Sequence, residues 1–330
     1  MKIVSRAVAR IVVACIAVVE LEAPANADPM STSPEQAYDL GEFPNARAVG
    51  MGGALNALGV STTALSLNPA NMALARVYHI EAIGAFSPES QRQSYGGAVV
   101  DSVLNAAQVA GGLAGDWSQM DPNDINRRWT DIRGGLALPL GGHLALGATA
   151  RWLRADQSVA AGPFGGSYAS DGTRDSPILN VFTFDVGATA TIVEGLNIGI
   201  VGKDLTNPGN ALAPTLLAGG IGYTTTVVSV EADGQADFTT WGGTRGRLMA
   251  GAEVFLADRY AIRAGYRYDG GTTLNSLSLG FGYVDPKWSV EVGLRRDLIG
   301  DHGQTYGVLA LRYFYDALGL AGGDDQSGSF

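Results

Sequence analysis

The chain has 330 residues, 46% of them hydrophobic and only 16% charged, with 46 glycines and one cysteine. Soluble domains carry roughly a quarter charged residues and about 7% glycine, so charge is short and glycine is about twofold in excess, without the G-X-Y period of collagen. A net charge of −10 with no basic stripe opposes a phosphate backbone and excludes nucleic acid as a partner, and so apolar a chain is not a disordered one.

At the N-terminus, Lys2, Arg6 and Arg10 precede an apolar run from Ile11 to Val19, and Ala25-Asn26-Ala27 follows. That is the layout of a secretory signal peptide (residues 1–27), with cleavage predicted before Asp28. The run is too short for an uncleaved helical anchor, which needs about 20 apolar residues. Val12-Val13-Ala14-Cys15 faintly resembles a lipoprotein cleavage box, but cutting there would leave almost no apolar stretch upstream. Cleavage before Asp28 removes Lys2, Arg6, Arg10, Glu20 and Glu22, which takes the net charge to −11. It also removes Cys15, so the mature chain would have no disulfide, thiolate ligand or cysteine nucleophile.

Residues 28–76 show no clean alternation and are rich in Ala, Gly and Asn. Asn68-Pro69 reads as a helix start, because Asn caps orphan N–H groups and Pro at the first helical position forfeits no hydrogen bond. Gly50, Gly52 and Gly53 permit tight turns. A glycine cluster before a helix also suggests a phosphate cradle, but the strand–GxxxxGK[ST]–helix context is missing.

From about Val77 the pattern alternates with period two. Strands are predicted at roughly 77–87, 93–103, 108–116, 130–138, 144–154, 178–192, 195–204, 214–224, 227–237, 247–256, 260–268, 274–284, 288–296 and 305–315. Ile262, Ala264 and Tyr266, for example, oppose Arg263, Gly265 and Arg267. A soluble antiparallel sandwich alternates in the same way. No stretch after Asp28 has 18 uninterrupted apolar residues, which excludes helical spans. Two features separate the sandwich from a membrane barrel: the strands have the 9–11 residues of a tilted membrane strand, and connections after even-numbered strands are tight while those after odd-numbered strands, notably Trp117 to Trp129 and Ala155 to Pro177, are longer. Trp152, Tyr260, Tyr268, Tyr283, Trp288 and Tyr315 are candidates for interfacial girdles. The predicted fold is therefore all-β: a transmembrane antiparallel barrel of about 14 strands at 77–315, with a polar periplasmic tail at 316–330.

The run Asn45-Ala46-Arg47-Ala48-Val49-Gly50-Met51-Gly52-Gly53-Ala54, followed by Ser66-Leu67-Asn68-Pro69-Ala70-Asn71-Met72-Ala73 and the first strand, resembles the N-terminal plug of the FadL-type outer-membrane transporters and their PorV-like relatives. Leu67 stands where family members commonly have an aromatic or charged residue. The resemblance implies a 14-stranded barrel in the outer membrane with a small luminal hatch at 28–76, gated by Gly50, Gly52, Gly53, Asn68, Pro69 and Ala70. It implies passive uptake of hydrophobic small molecules such as long-chain fatty acids. The PorV-like relatives imply the alternative, a scaffold in secretion or surface attachment that meets a protein partner at its outer loops. A kink in the family's third strand opens the wall sideways, and Gly111-Gly112 is the candidate for it here.

With the apolar face outward, Arg133, Arg151, Asp185, Lys203, Glu231, Asp233, Glu253, Arg263, Arg267, Glu291 and Arg295 face the lumen. They either neutralise one another and hold the hatch, or one of them, Arg151 or Arg263, binds a ligand carboxylate through its planar fork. No enzyme, metal or cofactor is expected. His79, His143 and His302 lie far apart without ligand spacing, and Asp301-His302, with Asp171 and Asp175, is more simply a polar hairpin tip than a protease dyad. The expected partners are a hydrophobic ligand and outer-membrane lipid.

Overall fold

A computed structural model describes residues 42–103, 109–121, 126–157, 177–209, 212–298 and 303–315. The expected signal peptide, residues 28–41 of the hatch, most of the loop between Ala155 and Pro177, Asp171, Asp175, Asp301-His302 and the tail at 316–330 lie outside the described residues.

Fourteen strands run in chain order as β1 (Tyr78–Ser87), β2 (Arg92–Asp101), β3 (Ala110–Met120), β4 (Arg127–Leu140), β5 (Leu144–Gln157), β6 (Pro177–Val193), β7 (Leu196–Lys203), β8 (Leu216–Thr224), β9 (Val228–Asp237), β10 (Arg245–Leu256), β11 (Tyr260–Asp269), β12 (Leu274–Val284), β13 (Trp288–Asp297) and β14 (Thr305–Phe314). Each pairs antiparallel with its sequence neighbours. β1 pairs with β14 from His79 opposite Phe314 to Phe86 opposite Gly307, and this closes the barrel. Closure pairs the backbone groups that an open edge would leave bare in hydrocarbon.

The alternation decides which face is which. On β11, Ile262 is 49% exposed while Arg263 beside it is 3% exposed, and Leu136 and Leu279 on the outer wall are more than 60% exposed. Greasy outside and charged inside inverts the rule for water-soluble domains and defines a wall that faces lipid. No described helix is long and apolar enough to cross a membrane; the strands do the crossing.

Loop parity holds. From the fourth strand on, connections after even-numbered strands are the tight turns 141–143, 194–195, 225–227, 257–259 and 285–287. At this end Tyr283 meets Tyr260 and Trp288 in tilted contacts with centroids 5.5 and 5.3 Å apart, and Tyr78 meets Tyr315 at 5.4 Å, as in an interfacial girdle. One expectation is corrected. Trp117 and Trp129 do not bound a loop but lie within β3 and β4, which extend further than the alternation of apolar residues suggests. Asp116, Ser118 and Arg127 are buried toward the lumen, so a polar run that reads as loop is strand there.

Residues 42–76 occupy the lumen. They form two short helices, α1 (Ala46–Gly50) and α2 (Thr62–Leu67), and a 3-10 turn at Pro69–Ala73. The Asn45 side chain caps α1 by accepting from the Ala48 N–H at 2.9 Å, and its amide donates to Thr63 Oγ1 at 3.1 Å. Gly52 and Gly53 sit at φ of +67° and +91°, where a side chain is strained, so the chain reverses after α1.

Candidate functional site

The segment lies against a ring of inward glycines. Gly251 stands directly opposite Gly265, Gly280 opposite Gly293, Gly147 opposite Gly187, and Gly199 opposite Gly220 in the strand register. A methyl group on Gly293 would overlap the Ala46 carbonyl, one on Gly251 the Met51 carbonyl, and one on Gly199 the Asn56 carbonyl. The missing side chains let backbone meet backbone, which gives part of the glycine excess a structural purpose.

Asn68 is fully buried, and its amide donates to the Asn56 carbonyl at 2.8 Å and to Thr189 Oγ1 of β6 at 2.9 Å. Its Oδ1 accepts from the Ala70 N–H at 3.2 Å and Pro69 takes the first helical position, so the motif starts a helix, of 3-10 type. Thr189 in turn donates to Asn71 Oδ1 at 2.5 Å. A methyl group on Gly50 would stand only 3.0 Å from the Cα of Gly280. The residues expected to gate the lumen thus sit at contacts between segment and wall.

Two layers of charge line the lumen, and the first of them fastens the segment. Toward the tight-turn end, Arg47 of α1 meets Glu253 at 2.8 Å, Arg263 bridges Glu253 at 2.5 Å and Glu291 at 2.9 Å, and Arg312 links Glu291 at 3.1 Å to Glu81 at 3.0 Å. Glu231 accepts from the N–H groups of Ala57 and Leu58, and Asp233 from that of Asn56. Toward the long-loop end, Asp131 holds Arg133 at 2.8 Å and Arg151 at 2.7 Å, and Arg151 reaches Asp204 at 2.9 Å. Buried charges are costly unless paired in this way. Arg151 and Arg263, the two candidates for a ligand carboxylate, are therefore engaged by carboxylates of the protein itself. Gly111 and Gly112 pair without a register break on both sides of β3, so the wall is continuous at this pair; Gly112 faces Met72 and Val100 within the lumen.

A third group is centred on a residue that sequence reasoning misses. Glu42, the first described residue, lies among Arg247 of β10, Arg267 of β11 and Arg295 of β13. Arg267 offers both terminal nitrogens, one to each carboxylate oxygen at 3.2 Å; Arg295 lies 3.9 Å away and Arg247 is in direct contact. Burial raises the Glu42 pKa, but Arg267, Arg247 and Arg295 outweigh it and hold the carboxyl well below the ordinary range. Arg267 is four residues beyond Arg263 on β11, about 13 Å at roughly 3.3 Å per residue, so the layers are distinct. The polar parity of their strands signals Arg247, Asp131 and Arg312. Nothing signals Glu42, which belongs to no alternating segment.

Between the segment and the arginines is a cavity of about 90 Å³, lined by Glu42, Phe43, Arg133, Lys203, Arg247, Arg267, Arg295, Met249 and Tyr306 among others. That is room for a handful of waters, and cations outnumber carboxylates in its lining. Nearer the long loops, Met120, Trp129, Leu153, Leu179 and Leu212 form a buried apolar cluster with Trp241 packed against it. From the short-turn end outward, the lumen thus presents a charged anchor, a cationic cavity and an apolar cap.

These features define a membrane-spanning barrel of the outer-membrane type whose lumen is occupied by its own N-terminal segment. The fold is similar to that of the toluene transporter TbuX of Ralstonia pickettii, with a TM-score of 0.61 at 15% identity over 83% of this chain and 99% of that one. It is also similar to the CymD monoaromatic hydrocarbon channel (TM-score 0.58, 14% identity, 82% and 96% covered) and to a FadL homologue of Pseudomonas aeruginosa (0.55, 14%, 83% and 99%). No protein-family model and no curated protein matches the sequence. At these identities the likeness is one of fold, and that fold is the FadL-type barrel.

Proposed function

We propose that this protein is an outer-membrane passive transporter for hydrophobic small molecules, exported with a cleaved signal peptide, in which residues 28–76 form the hatch. The observation that carries the reading is the seated segment itself. A 14-strand barrel blocked by its own chain, beneath a buried apolar cluster, is built as a stoppered conduit for a ligand less polar than water. The named structures that share the fold are toluene and monoaromatic hydrocarbon transporters and a FadL homologue, and this supports the same ligand class, with long-chain fatty acids as its larger members.

Passage requires the segment to shift, because the cavity as it stands holds only about 90 Å³. The same filled lumen favours the second reading, a PorV-like scaffold that never conducts and meets a protein at its outer loops. Reconstitution in liposomes separates the two. Toluene or oleate entry above that of protein-free vesicles supports transport, whereas vesicles as tight as the controls, together with a partner recovered in fixed stoichiometry from the native envelope, support the scaffold.

A further inference from the structure

We propose that the outward face of β4 and β5, at the long-loop end, docks a phosphorylated glycolipid of the outer leaflet, with Arg128 and Arg154 on its phosphate. The proposal concerns the outside of the wall and goes beyond the transport reading, since it holds whether or not the barrel conducts.

Outward-facing charge is scarce on this barrel and unevenly placed. Among the described strands, parity puts Arg128, Arg154, Asp156 and Arg296 on the outer wall at the long-loop end, and Asp101 alone at the tight-turn end. In barrels of this type the longer connections face the exterior, so the arginines stand at the outer leaflet. An anionic membrane surface attracts basic side chains held at its depth, and a leaflet of phosphorylated glycolipid is such a surface. At the same end of β7 to β12 the outward positions are Gly202, Leu217, Ala236, Gly246, Tyr268 and Asn275, none of them charged. The cationic patch is therefore local.

Arg296, on β13, is taken up by Glu89 of the β1–β2 turn. Arg128 is exposed and makes no hydrogen bond or ion pair among the described residues. Arg154 holds Asp156 through Nε and Nη2 at 3.1 and 3.2 Å, an exposed pair that leaves its Nη1 outside the bond. Such pairs are weak in water and yield readily to a stronger anion. In the register Arg128 stands opposite Asp156 and Arg154 opposite Thr130, so the two arginines are diagonal neighbours on one face, about 7–8 Å apart at the backbone. Their stems can close on a phosphate between them, which the guanidinium fork meets with two parallel bonds.

The neighbouring strands supply what the rest of a glycolipid headgroup needs. Gln119 of β3 lies opposite Arg128, and Asn180 of β6 lies opposite Arg154, so an amide flanks each cation within reach of sugar hydroxyls. Two residues nearer the membrane centre come Trp117 and Trp152, about 7 Å lower at roughly 3.3 Å per residue. Trp152 donates its indole N–H to Asn180 Oδ1 at 3.0 Å, and Trp117 stacks on Tyr95 of β2 with centroids 6.5 Å apart. Aromatic rings of this kind mark the headgroup boundary. From the membrane centre outward the face thus reads as acyl-chain wall, aromatic band, then guanidinium and amide.

The test compares lipid A carrying its two phosphates with the same lipid dephosphorylated, by native mass spectrometry on the full mature chain in a neutral detergent. Wild type is expected to hold the phosphorylated lipid about tenfold more tightly, the scale of a hydrogen bond to a charged group. The double variant Arg128→Gln with Arg154→Gln should lose that preference and bind the dephosphorylated lipid as wild type does. Arg296→Gln, an outward arginine of another sector, should keep it. Equal binding of the two lipids by wild type, or an undiminished preference in the double variant, overturns the proposal. So does an equal loss in Arg296→Gln, which would assign the attraction to total charge. Should the double variant fail to assemble, each single variant decides by the same comparison, with an expected loss of about threefold.

Discussion

Arg47 on the luminal helix and Glu253 on the barrel wall meet at 2.8 Å, but the two ends of this bridge are not equivalent. Glu253 also holds Arg263 at 2.5 Å, so loss of Arg47 leaves the glutamate paired, whereas loss of Glu253 strips a partner from two buried guanidinium groups. Breaking a buried pair from the shared side costs about 3 kcal/mol or more, against roughly 1 kcal/mol when the orphan keeps another partner. Glu253→Ala is therefore expected to lower the thermal midpoint of the detergent-solubilised barrel several-fold more than Arg47→Ala. Arg47→Ala should act mainly on the segment and raise ion conductance in planar bilayers. Equal losses of stability would mean that the network does not share its charge as the distances indicate.

The glycine ring makes a steric prediction. A side chain at Gly293 runs into the Ala46 carbonyl from its Cβ onward, while a Cβ at Gly84 meets nothing within 4 Å. Gly293→Val is expected to unseat α1 from an otherwise closed barrel, at an overpacking cost of about 1–3 kcal/mol. Trypsin would then cut at Arg47, which the native lumen shields. Gly84→Val serves as the control and should remain resistant. Resistance in both proteins would show that the wall gives way instead of the segment.

These residues also mark how far the sequence is legible. Which face of β11 or β13 carries Arg263 or Glu291 follows from parity alone, because each successive side chain in a strand changes sides. Closure, strand number and loop sorting follow from the same alternation. What parity does not carry is the offset between strands. The glycines at 251, 265, 280 and 293 read only as small residues on polar faces until the register brings Gly251 against Gly265 and Gly280 against Gly293. The partners of Arg151 and Arg263 were hidden for the same reason, since Asp204 is 53 residues from Arg151 along the chain. Glu42 was hidden more completely, because its place is set by the tertiary path of a segment with no period of its own.

The adjacent glycines of β3 should respond differently to the same change. Gly111 points to the outer wall, where an added Cβ finds Leu136 at an ordinary 3.5 Å, and Gly112 points inward, where it meets Val100 at 2.9 Å and Met72 at 3.2 Å. Gly111→Val is expected to fold and behave as wild type. Gly112→Val should push Met72 aside, lower the midpoint by the equivalent of about 1–3 kcal/mol and slow any ligand entry. A block of entry by Gly111→Val alone, in a barrel of unchanged stability, would instead point to an opening of the wall at this pair.

Acid titration isolates the Glu42 contact. The carboxyl is held below its ordinary value of 4.5 because the attraction of Arg267, Arg247 and Arg295 exceeds the effect of burial that raises it. A carboxyl with a lowered pKa in the folded state binds fewer protons there than in the unfolded chain. Its stabilisation is full above the unfolded value and fades as pH falls through and below that value. The midpoint of wild type minus that of Glu42→Gln is therefore expected to be positive and constant from pH 7 to about 5.5 and to shrink below about 4.5. Buffers must lack carboxylate and phosphate, which would compete for the arginines. Because the other carboxylates of the lumen titrate in both proteins, the difference reports Glu42 alone. A difference that is flat down to pH 3, or that grows on acidification, would mean that the arginines do not hold this carboxylate in its charged form.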